Sequence, residues 1–299
     1  FCRFAADVGH NNEVWVNPNW RGAPGAPLLG DAPYQLSPPG RFANAVTRVV
    51  KLYKAGFFSQ IICPDTAALG LRPASHTARL MGTTCEAWLN REAAQVLDLF
   101  LASYMVGLEW SSGSSTRWLL QRLKKLYSVE HNVQWLESVK KRLDDDSVNS
   151  WDYVGIGCNS TEICEEYSNY PKHNYLPETR DGFDYISIDG IAREECMRNV
   201  LHNNMLREYG VLVLDNAERS TVRTVPPSHW VVVSFQNSID ETALWMRCET
   251  SDKWCHRAQR DIDHAMKSVS GLVGSRYKAK REAGISDAHH ATGAHGTMR

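Results

Sequence analysis

No run of apolar residues in this chain reaches the roughly 18 that a membrane-spanning helix needs. An excess of one charge sign is also lacking, with 33 Lys+Arg against 34 Asp+Glu in 299 residues. That balance removes the broad basic face of a phosphate-binding protein, so nucleic acid is not an expected partner. The eight cysteines include no CxxC pair of the kind that closes a structural zinc site. The G-x-G-x-x-G turn of nicotinamide-dependent Rossmann enzymes is absent as well. With Phe1 in place of an initiator Met, the chain is expected to be processed or a fragment.

What is present is unevenly spread. Residues 1–40 hold six of the twelve prolines and five of the twenty glycines, which predicts an extended arm. Residues 41–57 then show helical apolar spacing, through Phe42, Val46, Val49, Val50 and Tyr53. A second helix is predicted over 90–103 with Asn90 as its N-cap. From Tyr104 onward short apolar runs alternate with amphipathic segments. Strands are expected at 105–110, 126–130, 153–158, 183–188 and 211–214, with helices at 116–125, 133–143 and 193–206 between them. Two further runs, 230–235 and 243–247, have no room for a helix between them and predict an antiparallel hairpin.

The pattern predicts an α/β fold: a Rossmann-like, doubly wound seven-stranded sheet, mostly parallel, with an antiparallel C-terminal hairpin. The expected organisation is an N-terminal arm and helical extension over 1–84, the Rossmann domain over 85–250, and a C-terminal helix and low-complexity tail over 251–299. The arm and tail are candidate surfaces for protein partners.

Open sheets of this kind bind ligands at the carboxyl ends of their strands. The first such turn is Leu108-Glu109-Trp110-Ser111-Ser112-Gly113-Ser114-Ser115-Thr116, and Glu130-His131 ends the second strand about twenty residues later. At the ends of the fourth and fifth strands stand Asp189-Gly190 and Asp215-Asn216. Two carboxylates and an amide oxygen converging there form an all-oxygen set suited to Mg²⁺; the competing reading is that they cap a helix and shape a turn. Trp118, Trp135 and Trp245 fall on core-facing patterns.

These stretches resemble the motifs of class I S-adenosylmethionine-dependent methyltransferases, in the branch with an E-[WY]-G-S-G-x-S-T turn. The resemblance covers about residues 85–249 and is carried by the two motifs just quoted, by Phe183–Gly190, by Gly210–Asn216 and by the closing hairpin. It implies that Glu109, Ser111, Gly113, Ser115, Glu130 and Asp189 line a site for S-adenosyl-L-methionine, with Glu130 on the ribose hydroxyls and the adenine near Cys158 and Asn159. It also implies a catechol-type O-methyltransferase site, with Asp189, Asp215 and Asn216 as metal ligands and Asp189 and Arg193 as the catalytic pair. The implied activity is O-methyl transfer to a small-molecule or glycan acceptor. Two departures bear on this. The family's first turn glycine is Ser111 here, placing a Cβ where backbone approaches the cofactor. The lysine expected three residues after the first metal Asp is Ala192, followed by Arg193, which reads as an anion or carboxylate contact, so a general base would come from elsewhere. Both leave open a methyltransferase-like subunit that has lost catalysis and serves a larger assembly.

Cys158 and Cys164 bracket the glycosylation sequon Asn159-Ser160-Thr161, and Cys248 and Cys255 bracket a polar loop. Together they point to an oxidising compartment, the secretory-pathway lumen or the cell exterior, with reduced thiols in an organelle or the cytoplasm as the alternative.

Overall fold

The computed structural model describes residues 37–55, 87, 89–141, 143, 150–158, 164–175, 179, 181–219, 221–236 and 240–269. The expected arm before residue 37, the tail after 269 and the sequon at Asn159 lie outside them.

The first helix, α1 (Pro38–Lys54), starts where Ser37 Oγ accepts the Gly40 amide and Pro38 fills a position whose N–H needs no partner. In α2 (Arg91–Phe100) the predicted cap is in place, with Asn90 Oδ1 accepting from the amides of Glu92 and Ala93. Alternation follows through β1 (Val106–Trp110), α3 (Ser114–Leu120), β2 (Lys125–Glu130), α4 (Val133–Lys140), β3 (Trp151–Gly155) and α5 (Glu165–Tyr170). A π-helical turn at Pro171–Tyr175 extends α5. The chain continues with β4 (Phe183–Ile188), α6 (Arg193–His202), β5 (Leu206–Leu214), β6 (Val231–Gln236), β7 (Glu241–Met246) and α7 (Lys253–Met266).

The seven strands form one sheet in the order β3-β2-β1-β4-β5-β7-β6. Strands β1 to β5 are parallel, and β7 runs antiparallel between β5 and β6. The expected Rossmann-like sheet with its C-terminal hairpin is therefore observed. Both faces are covered, as a parallel sheet requires. Period-two alternation divides the side chains of β5: Val211 and Val213 enter one apolar layer, Leu212 and Leu214 the other.

The first layer holds α1, α2, α3, α4 and α7. Phe42, Val46 and Val49 of α1 share it with Val96 and Phe100 of α2 and with Ala258, Ile262 and Met266 of α7. Helices α1 and α7 pack directly on each other, so the described parts of both flanking segments are built into the sheet's own core. The Cα atoms of Cys248 and Cys255 are 6.3 Å apart and those of Cys158 and Cys164 5.9 Å, and both pairs are disulfide-bonded. The first tie fastens the exit of β7 to α7.

Candidate functional site

The strand order reverses between β1 and β4, and the crevice beyond their carboxyl ends opens into a cavity of about 270 Å³. That is close to the small end of the roughly 300–1,000 Å³ typical of small-molecule sites. Glu109, Ser111, Ser112, Gly113, Ser114, Ser115, Glu130, Asp189 and Asp215 line it. Six residues expected at a cofactor site thus meet around one space.

Glu109 ends up at the floor of this space because β1 carries it inward between β2 and β4. Its Oε1 accepts from Thr116 Oγ1 at 2.7 Å and Ser128 Oγ at 2.6 Å, while Oε2 takes no partner among the described residues. Ser128 is held in turn by Trp151 Nε1. Burial drives the Glu109 pKa up to about 8, with the charges of Glu130 and Asp189 adding to it and the two hydroxyl donors opposing. Near neutral pH Glu109 is mostly a neutral acid.

Glu130 at the end of β2 behaves oppositely. Burial disfavours its charge, but donation from its surroundings outweighs this and holds the carboxyl below its ordinary range. The Ser112 amide reaches Oε2 at 2.6 Å, Ser112 Oγ at 3.2 Å and Ser111 Oγ at 3.4 Å, and the Asn132 amide reaches Oε1 at 2.8 Å. His131 Nδ1 lies 3.0 Å from Oε1, and of the groups that lower the Glu130 pKa it has the largest effect, ahead of the Asn132 and Ser112 amides. Three of these donors share Oε2, while Oε1 takes the Asn132 amide. A ribose hydroxyl would compete with the serine hydroxyls at Oε2.

The Ser111 question resolves into a local geometry. Its amide bonds Val129 O across the β1–β2 gap at 2.8 Å, and it adopts φ +78°, a conformation that glycine adopts freely and serine adopts under strain. Gly190 stands opposite at φ +73°, where a Cβ would come within 3.0 Å of Ser111 Cβ. Space missing at position 111 is thus left open at position 190.

The strand ends on the other side do not support the Mg²⁺ expectation. Arg193, at the start of α6, is buried and sits among the residues assigned to the metal. Its Nη2 donates to Asp189 Oδ1 at 2.5 Å and Asn216 Oδ1 at 3.2 Å, Nη1 to the Asp215 carbonyl at 2.9 Å and Nε to the Gly190 carbonyl at 3.0 Å. Among the described residues no group of three or more His, Cys, Asp and Glu is arranged to hold a metal ion. A guanidinium takes the central place among Asp189, Asp215 and Asn216, with four of its five N–H donors committed within the chain. Asp189 does not cap α6, whose N-cap is Ala192 in a left-handed conformation.

Asp215 stays in the cavity wall with Thr242 Oγ1 donating to its Oδ1 at 2.7 Å. Burial first, and the charge of Asp189 second, raise its pKa to about 7 against the opposing effects of Thr242 and Arg193. Thr242 Oγ1 also accepts the Asn90 amide, which ties the start of α2 to this corner. Sequence reasoning missed Trp135, which lines the cavity and donates Nε1 to the Ser112 carbonyl at 2.7 Å instead of entering the core centre. It also missed the supporting hydroxyls of Ser128 and Thr242, whose only trace is an inward polar residue on an otherwise apolar strand.

The strand order, the antiparallel hairpin and the cavity at the reversal point define a Rossmann-like doubly wound fold with its ligand crevice at the topological switch point. No family model and no curated protein matches the chain. Among solved structures it is similar to a putative methyltransferase, yhhF, from Escherichia coli (15% identity, 59% of this chain and 90% of that one, TM-score 0.42). It is also similar to an rRNA methylase from Streptococcus thermophilus (14%, 50% and 90%, 0.38). A third similar structure is the O-methyltransferase TomG from Streptomyces achromogenes in complex with SAM (15%, 49% and 74%, 0.36).

Proposed function

We propose that the chain is an S-adenosylmethionine-dependent methyltransferase domain that methylates an oxygen of a small-molecule or glycan acceptor. The observation that carries this reading is the buried Glu109 carboxyl, with one oxygen unpartnered, in the wall of the cavity at the sheet's reversal point. A cationic ligand is the partner such a group lacks. When bound, S-adenosylmethionine supplies a methyl group carried on a positively charged sulfonium. Around it Glu109 would take a cationic group, the Ser112–Ser115 turn would shape the approach, and Ser111 and Ser112 would yield Glu130 to the ribose.

Asp215 supports an oxygen acceptor. With a pKa near 7 it is matched to take a proton from a hydroxyl at working pH, and no metal is needed for that step. The second reading, a non-catalytic subunit, draws on Ser111 and on the three donors already at Glu130 Oε2; protein partners at the arm and tail belong with it. Calorimetry with S-adenosylmethionine separates the two. Saturable binding is expected, and Ser111→Gly should bind tighter while gaining about 1 kcal/mol of stability from relieved backbone strain. No binding to either protein would leave the non-catalytic reading standing.

We place the protein in an oxidising compartment on the two cysteine pairs. Intact mass under non-reducing conditions should be lower by the hydrogens of two disulfides, at Cys158–Cys164 and Cys248–Cys255. Detection of free thiols at these four positions would exclude that placement.

A further inference from the structure

Four oxygens from four residues converge on one cation that the chain itself provides. Asp189 Oδ1, Asn216 Oδ1 and the carbonyls of Gly190 and Asp215 all accept from Arg193, which is only 6% exposed. Two of the residues are carboxylates, with Asp189 in direct ion-pair contact and Asp215 lending its backbone carbonyl. The collection comes from the turns that follow two adjacent strands, β4 and β5. Left-handed backbone at Ala192 and Asn216, and φ +73° at Gly190, turn these groups toward one point.

We infer that Arg193 is a built-in organic cation standing where this oxygen set would otherwise hold a divalent metal ion, so that the site is metal-independent and becomes a metal site only when the guanidinium is removed. The donor chemistry fits either occupant. Hard divalent cations take carboxylate, amide and carbonyl oxygens, and a guanidinium offers five N–H donors to the same groups. The two occupants exclude each other, because an incoming ion would meet a buried positive charge and find its ligands already bonded. There is also a charge consequence. One guanidinium offsets one of the two carboxylates that a divalent ion would offset together, so this end of the cavity keeps a net negative charge when both are ionised. That residue of charge suits a cationic ligand in the same space.

This inference concerns the cavity of the proposed function but does not rest on methyl transfer, because its test reads metal binding with no cofactor present. Mn²⁺ is the probe, followed by electron paramagnetic resonance on the full chain. Wild type is expected to show no saturable binding. Arg193→Met, which keeps the aliphatic stem packed, should bind Mn²⁺ at least about tenfold more tightly than wild type, and the double variant with Asp189→Asn should lose that gain. Because Arg193→Met leaves buried acceptors unpaired, its melting temperature is followed in parallel. Mn²⁺ should raise it in the variant and leave wild type unchanged, since a ligand that binds only the folded state stabilises it. Two outcomes overturn the inference: saturable Mn²⁺ binding by wild type that Asp189→Asn abolishes, or Mn²⁺ that neither binds Arg193→Met nor raises its melting temperature.

Discussion

Cofactor affinity is expected to climb about tenfold per pH unit from pH 6 to about 8 and then level off, with Glu109 as the cause. Its carboxyl, raised to about 8 by burial, is mainly protonated below that value. A cationic ligand needs the carboxylate, so binding must expel the proton, and each unit below the pKa withholds about 1.4 kcal/mol. Glu109→Gln keeps the shape and most hydrogen bonds but never ionises; its affinity should be independent of this titration and, at pH 8, lower than wild type by ~100-fold. Calorimetry across pH in wild type and variant checks both. A flat wild-type profile would remove Glu109 from ligand binding.

The same group gives a stability trend of opposite direction. A carboxyl whose folded pKa lies above its unfolded value favours folding below the unfolded pKa, and that contribution is lost as pH rises through the folded one. For Glu109 the window runs from about 4.5 to about 8. Urea melts should therefore show Glu109→Gln gaining on wild type as pH rises, by several kcal/mol at pH 8. A residue that weakens the fold while serving the cavity is what a functional site leads one to expect.

The second large effect concerns α1. Phe42 is fully buried and stands edge-on to Phe100 of α2, with ring centroids 5.6 Å apart. Phe42→Ala should cost about 3–5 kcal/mol, the range for emptying an aromatic site in a packed core. If α1 were a detachable extension, the loss would be near zero and the rest of the fold would melt unchanged. Chemical denaturation distinguishes the two, and a loss below about 1 kcal/mol would show that this helix is not part of the core.

Local pattern made most of the sheet legible. Strands β1, β2 and β4, the hairpin, and α2 with its Asn90 cap follow directly from apolar runs and a capping side chain. Where the pattern failed, polar residues hid the structure. Strand β5 begins at Leu206, five residues before the Val211 run, because Arg207, Glu208 and Gly210 interrupt it and the pairing with β4 shifts there. Helix α5 and its π-helical turn fall between the strands expected at 153–158 and 183–188, where no helix is predicted; Tyr167 and Tyr175 bury there without an apolar period. The docking of α1 on α7 is invisible locally because it joins distant segments.

The candidate site divides in the same way. Glu109, Glu130 and Asp189 were legible because carboxylates at strand ends stand out. The occupant of the Asp189–Asn216 corner was not, because spacing along α6 does not say whether Arg193 turns outward or back over its own N-terminus. Ser111 was flagged by type, and only its φ showed how Gly190 accommodates it.

The pairing of α1 with α7 also sets an order of events during synthesis. Roughly 200 residues separate the end of α1 from the start of α7. At ~5–20 residues per second, α1 spends on the order of 10–40 s outside the ribosome before its partner is made. Over that interval Val46 and Val49 lack the α7 surface that finally packs against their helix. Burial of that face of α1 is therefore a late event that waits for α7.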